Sequence, residues 1–346
     1  MSDLRIAQIG SGGNGSGHLK RFVEAGAQVV GVADPDPAAQ ARAKEITGCE
    51  AIFAHHKEML EAVRPDGVCV SVPNNLHCEL ACDALRAGAN VLLEKPMDAN
   101  VENCRPVLEV EKETGKLVMM GFCCRYQPAT WWMKDLVASN RLGRISHVRV
   151  EDLRRKQPPV EQPPGGRKKT WFSVRSISGG GVFLDLGPHM VDQMLYVLGH
   201  PEPVEVSGEV SPKPGARDDP EQVEDFASGI IRFKDGMTMS LLFQKGAFAE
   251  RSTTKAIDVH GDKGRVSVSA AGTKLFTEDT GYGVEMTPQV PEKSYFAIQT
   301  QLFLDWLKKG GPSPAPAKDG YVMQLIVDAL YRSAESGRAV TIDVNA

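Results

Sequence analysis

Through the first third of the chain, short apolar runs rich in Val and Ile alternate with stretches of helical period. Residues 4–9, 29–33, 68–72, 91–93 and 117–121 are three to six residues long, too short for helices, and are predicted as strands. Between them, Asp36-Pro37 predicts a helix start, with Asp36 as N-cap, Pro37 at the first helical position and Ala38, Ala41 and Ile46 along the helix. A second helix is predicted over residues 76–87, where Leu76, Leu80, Ala84 and Ala87 form one stripe and Gly88 ends it. Strands separated by such helices cannot pair as hairpins. They are expected in a parallel sheet covered on both faces.

After about residue 122 the period changes to two. Alternation of apolar and polar positions marks 145–153, 204–210, 226–233, 237–243, 256–259 and 265–269 as strands. Asp235-Gly236 and Asp262-Lys263-Gly264 each join two of these runs and read as hairpin turns. Helices are predicted near 188–198, 296–308 and 320–336, and Pro/Gly-rich stretches fall at 157–166, 211–220 and 310–316. The first of these reads either as a loop over a site or as a solvated connection. The fold class is therefore α/β: an N-terminal doubly wound parallel sheet of Rossmann type, then a C-terminal α/β domain with a large, open, mainly antiparallel sheet. The expected domains are 1–123 and 124–346, and the sequence contains no internal repeat and no coiled-coil heptad.

Composition narrows the function classes. At 346 residues, with 42% hydrophobic and 24% charged positions, the chain is long enough to bury two cores without disulfides or metals. Lys+Arg 40 against Asp+Glu 44 leaves a formal charge of −4, which argues against nucleic acid or an anionic membrane as the main partner. No apolar run approaches the ~20 residues that a membrane-spanning helix needs. The first residues lead directly into a strand pattern, without a signal-peptide pattern. Of the seven cysteines, Cys78 and Cys82 stand one helical turn apart and Cys123 and Cys124 are adjacent. They read as buried thiols of a reducing cytoplasm, and no metal is expected.

Directly after the first strand comes Gly10-Ser11-Gly12-Gly13-Asn14-Gly15, with the G-x-G-x-x-G spacing. At those positions Gly10 permits a tight turn, Gly12 lets backbone approach a pyrophosphate, and Gly15 allows close helix–strand packing. The helix that follows offers free N–H groups and a positive dipole end to phosphates. Asp34 stands at the end of the second strand, 19 residues past Gly15, where a carboxylate accepts both ribose hydroxyls of NAD. It would repel a 2′-phosphate, and Pro35-Asp36-Pro37 follows it instead of an arginine, so NAD is expected over NADP.

Glu94-Lys95-Pro96 follows the fourth strand, at the carboxyl edge where open α/β sheets place ligands, and Pro96 holds Lys95 in extended geometry. A second constellation runs from Gly179-Gly180-Gly181 through Asp185 to Gly187-Pro188-His189 and Asp192. Pro188 suits a first helical position with Gly187 as cap, which would put His189 in the first turn, where the dipole favours a neutral imidazole able to accept a proton. Asp185 would lie just before the helix, and Asp192 would orient the ring from the same face.

Together these residues make the chain resemble the Gfo/Idh/MocA family of glucose–fructose oxidoreductase, inositol dehydrogenase and related sugar dehydrogenases. The matching stretches are Gly10–Gly15 with His18 after it, Val32-Ala33-Asp34, Val72-Pro73-Asn74-Asn75-Leu76-His77, and Ala87-Gly88-Ala89-Asn90-Val91-Leu92-Leu93-Glu94-Lys95-Pro96. Gly121-Phe122-Cys123-Cys124-Arg125-Tyr126-Gln127-Pro128 and the segment from Asp185 to Asp192 complete the match, in family order. The stretch 157–171 and the chain beyond Gly199 match no motif, and such variable parts choose the substrate.

The resemblance implies an NAD-binding domain followed by a substrate and oligomerisation domain, whose large sheet supports a dimer or tetramer. It implies hydride transfer between a secondary alcohol of a sugar, cyclitol or sugar derivative and nicotinamide. Lys95, Asp185 and His189 match the family's catalytic positions: His189 would take the hydroxyl proton, Lys95 would stabilise the developing alkoxide, and Asp185 would orient them. Gly10, Ser11, Gly12, Gly13, Asn14, Asp34, Ser71, Pro73, Asn74, His77, Glu94, Lys95 and Arg125 match cofactor contacts. Lys95, Arg125, Tyr126, Trp171, Asp185 and His189 are the candidate substrate contacts, Trp171 by stacking on a sugar face. Two other classes compete: a same-fold enzyme that keeps NAD bound for glycoside cleavage or elimination by transient oxidation, and a non-catalytic nucleotide sensor. The sensor has no need of acid–base groups.

Overall fold

The computed structural model describes residues 4–156, 170–212, 219–249, 251–269, 272–277, 284–286 and 294–345. The chain forms two compact units, one of Met1–Cys123 with Glu292–Gln324 and one of Cys124–Pro291 with Leu325–Ala346. The contiguous division expected at residue 123 is thereby corrected, because residues 292–324 cluster with the first unit.

In the first unit, β1 (Arg5–Ile9), β2 (Gln28–Ala33), β3 (Ile52–Phe53), β4 (Gly67–Val70), β5 (Asn90–Leu93) and β6 (Val118–Met120) form one sheet in the order β3-β2-β1-β4-β5-β6. Every pair in it is parallel. Crossovers carry α1 (Gly13–Glu24), α2 (Pro37–Thr47), α3 (His56–Val63), α4 (His77–Arg86) and α5 (Arg105–Thr114). Strand order reverses between β1 and β4, and open α/β sheets bind ligands outside the carboxyl ends of such strands. Asp36 caps α2 as expected, accepting the Ala38 N–H at 3.0 Å with Pro37 at the helix start.

The stripe expected on the helix over 76–87 is corrected. Asn74–Leu76 is a 3₁₀ turn, Leu76 and Ala87 are exposed, and α4 buries His77, Cys78, Leu80, Ala81, Cys82, Ala84 and Leu85. Burial on a sheet needs a wider face than one stripe.

α9 (Tyr295–Lys309) packs Phe303 and Leu307 against Gly67, where a Cβ would come within 2.6 Å of Leu307. The Met120 N–H donates to the Ala315 carbonyl at 2.7 Å, which ties the chain ahead of α10 (Ala317–Ser336) to β6.

In the second unit, α6 (Pro128–Ala138), β7 (Ile145–Arg155), α7 (Arg175–Ser178) and α8 (Val182–Val197) precede the run of strands. These are β8 (Pro203–Pro212), β9 (Glu224–Phe233), β10 (Thr238–Ala247), β11 (Thr253–Gly261), β12 (Gly264–Ser269), β13 (Gly272–Thr277), β14 (Val284–Met286) and β15 (Val340–Thr341). The sheet order is β14-β13-β12-β11-β7-β10-β9-β8-β15. Its pairs are antiparallel except β7 with β10. Both expected hairpins are present: Asp235-Gly236 turns β9 into β10, with Gly236 at φ +88°, and Asp262-Lys263 turns β11 into β12. The expected loop at 157–166 lies outside the described residues.

One helix boundary needs correction. α8 begins at Val182 with Gly181 as N-cap, and Pro188 lies inside it, so His189 is two turns from the start and Asp185 is within the first turn. The cap comes from a distant strand. The Glu224 carboxylate of β9 accepts the Gly181 N–H at 2.8 Å and the Phe183 N–H at 3.0 Å, satisfying helix-start donors that no neighbouring side chain satisfies. The dipole argument for His189 therefore falls, since that field is confined to the first turn.

Candidate active site

The glycine loop leaves β1 at the reversal of strand order. Gly10 has φ +82°, and a Cβ there would lie 2.2 Å from the Ser71 carbonyl at the end of β4, so the two strand ends approach as only glycine allows. Gly15 packs equally closely, its Cβ position 2.1 Å from the Gly10 carbonyl. Gly12 and Gly13 differ: a Cβ at either would meet nothing within 4 Å. Their bareness faces open space at the start of α1, where the N-cap Gly12 offers no side chain and Gly13 and Asn14 are exposed.

At the end of β2 the Asp34 carboxylate accepts the Ser11 N–H at 2.7 Å and its hydroxyl at 3.1 Å through Oδ2, and the Asp36 N–H at 2.9 Å through Oδ1. A carboxylate has about four lone-pair directions. Asp34 thus fixes the loop and keeps acceptor capacity for a ribose diol. Open glycines, a helix start with glycine as N-cap and a strand-end acid fit a dinucleotide.

Lys95 stands just past β5, half-buried. Behind it, the buried Glu94 accepts the Lys95 N–H at 3.2 Å and lies 2.7 Å from Nε2 of the fully buried His18. Burial works to lower the His18 pKa, but Cys69 and Glu94 outweigh it and raise it to about 10. His77 is also buried; its Nδ1 lies 2.7 Å from the Pro96 carbonyl and its Nε2 2.9 Å from that of Val72. Burial pushes its pKa down, against the pull of those carbonyls. Among the expected cofactor contacts, then, Glu94 and His77 face protein partners and brace the segments around Lys95 and Pro73. Asn74 is buried in the 3₁₀ turn, and the Ser71 N–H donates to the Ile9 carbonyl at 2.9 Å. The link from His18 to Glu94 was absent from the sequence reading, because 76 residues separate them.

In the second unit, α8 is buried along its length except at Asp185, His189 and Tyr196. The first two are one turn apart and share a face. The Asp185 carboxylate accepts a hydrogen bond from the Lys245 ammonium of β10 at 2.9 Å, a partner with no signal in the sequence. The Cys124 thiol and a ring nitrogen of His189 lie within 4.8 Å of each other.

Asp192 holds Arg125: Nε donates to Oδ2 at 2.8 Å and the guanidinium to Oδ1 at 2.5 Å, both side chains being 1% exposed. Arg125 also lies over the Tyr196 ring at 5.2 Å. Arg125 and Tyr126 are both buried. Trp171 stacks on the exposed Phe172, ring centroids 3.6 Å apart.

The triple glycine has a packing cause. Gly179 takes φ +84°, a Cβ on Gly180 would lie 2.0 Å from the Tyr331 hydroxyl, and one on Gly181 would lie 1.9 Å from the Glu224 carbonyl. Tyr331 donates to Glu224 at 2.9 Å, and burial raises the pKa of both groups.

A parallel sheet with this loop at its reversal point, an acid at the end of β2 and a lysine past β5 define a nicotinamide-dependent oxidoreductase. Residues 4–122 match the oxidoreductase family with an NAD-binding Rossmann fold, and residues 131–267 match the Gfo/Idh/MocA C-terminal domain. The chain belongs to the Gfo/Idh/MocA oxidoreductase family and is NAD-dependent. It is similar to the D-glucoside 3-dehydrogenase of Escherichia coli strain K12, 26% identical over 355 residues, covering 99% of this chain and 98% of that protein. It is likewise similar to the inositol 2-dehydrogenase of Rhizobium meliloti strain 1021, 26% identical over 98% of this chain and 99% of that one. Among solved structures, levoglucosan dehydrogenase in complex with NADH shares the fold at a TM-score of 0.85 and 22% identity, over 99% of this chain and all of that one. Among the described residues, no helix is long and apolar enough to cross a membrane.

Proposed function

We propose that the protein oxidises a secondary hydroxyl of a sugar, cyclitol or sugar derivative. The observation that carries the reading is α8: a helix sunk in protein over its first three turns presents only its acid and its imidazole there, one turn apart. Bound nicotinamide supplies the acceptor for the hydride. In this reading His189 takes the hydroxyl proton, Lys95 as ammonium stabilises the charge developing on that oxygen, and Asp185 fixes the orientation of the hydroxyl. The Gly10–Asn14 loop and Asp34 bind the dinucleotide, with Ser71, Pro73 and Asn74 lining the neighbouring strand end. Trp171 is assigned to the sugar face. The names of the D-glucoside and inositol dehydrogenases support this substrate class.

Seven free, buried cysteines support a reducing compartment, the cytoplasm. The face of the large sheet that carries Phe226, Ile230 and Leu242 supports association of two copies of the chain.

Lys95→Ala and His189→Ala are each expected to abolish NADH formation with a polyol panel while leaving the Kd for NAD within about threefold, less than ~1 kcal/mol. Full turnover in either variant removes that residue from catalysis.

A further inference from the structure

We propose that Lys245 is a substrate-binding residue that selects sugars carrying an anionic substituent, a carboxylate or a phosphate. The inference rests on the reading of Asp185 and His189 as substrate-facing groups, and it adds the substrate's charge.

Strand register places the groups. Lys245 pairs with Arg154, Phe243 pairs with Asp152, and Asp152 pairs with Lys255, so these side chains share one face of the sheet. That face looks toward α8, because the Phe243 ring packs edge-on against Phe183 at 5.5 Å. Asp152 is 1% exposed and already serves Arg154 at 2.6 Å and Lys255 at 3.7 Å. Asp185 serves Lys245 at 2.9 Å. Among the described residues, Arg154, Lys255 and Lys245 are thus drawn to two carboxylates on this face.

The Lys245 side chain is 41% exposed, and among the described residues only Asp185 takes one of its three donors. A substrate oxygen brought against Asp185 meets the remaining donors. Hydroxyls accept from an ammonium weakly, whereas a carboxylate or phosphate forms a charge-assisted bond about twice as strong. A protonated amino sugar is repelled by the same group.

The test uses the full chain with bound NADH and titrates D-glucuronate, D-glucose 6-phosphate and D-glucose calorimetrically. At least one anion is expected to bind about tenfold or more tightly than D-glucose, with the glucuronate and phosphate arms deciding which anion. Lys245→Gln should reduce the preference to within about twofold, and Lys245→Arg should keep it. Equal binding of all three, or a preference that survives Lys245→Gln, overturns the proposal. Turnover of His189→Ala separates it from the catalytic reading. An active His189→Ala with an intact Lys245-dependent preference sinks the catalysis and keeps this site; an inactive one without the preference does the reverse.

Discussion

In the first unit the His18 ring lies fully buried 2.7 Å from Glu94, with its pKa raised to about 10 from an ordinary 6.5. An imidazole with a raised folded pKa contributes stability that is fully present below pH 6.5 and is lost as pH rises through about 10. Urea unfolding followed from pH 6 to pH 10 should show this decline in the wild-type chain and a flatter profile in His18→Gln. The same slope in both would place the titration elsewhere. Single residues were legible where one residue type alone fits the chemistry, as at Gly10, Gly15 and Asp34. Pairs formed between residues far apart in the chain, Arg125 with Asp192 and His18 with Glu94, were not legible, because no local pattern links them.

At the scale of an element, α8 is held at its start by a carboxylate from β9 that is itself held by Tyr331. Removing that cap in Glu224→Ala leaves buried N–H groups and the Tyr331 hydroxyl without an acceptor, which should cost about 2–4 kcal/mol in denaturant unfolding. Tyr331→Phe removes one hydrogen bond and should cost about 1 kcal/mol. If the two variants prove equally mild, Glu224 is not the anchor of this helix. The predicted start at Pro188 failed because proline at a first helical position is a local preference. The actual cap acts across more than 40 residues, and no window of sequence contains both ends of it.

For the whole molecule, the large sheet is decisive. One face receives α8, and the other sets Phe226, Ile230 and Leu242 on adjoining strands, with Ile230 41% exposed. Apolar positions clustered on a broad face support the association proposed above. Light scattering is expected to give a mass at least twice that of the 37.5 kDa chain, and Ile230→Asp to lower it to that of one chain. A monomeric wild-type chain would remove this face as an interface.

Periodicity and short-range turn chemistry determined five strands of the first sheet and six of the second, the two hairpins and the dinucleotide loop. Each depends on residues within about twenty positions of one another. Tertiary structure alone decided that α9 joins the first unit, that β7 pairs in parallel with β10, that α8 starts at Val182, and that Lys245 reaches Asp185. These outcomes arise from burial and hydrogen bonding between distant segments. The free energy of such contacts depends on which surfaces meet, and a linear pattern of residues does not contain that information.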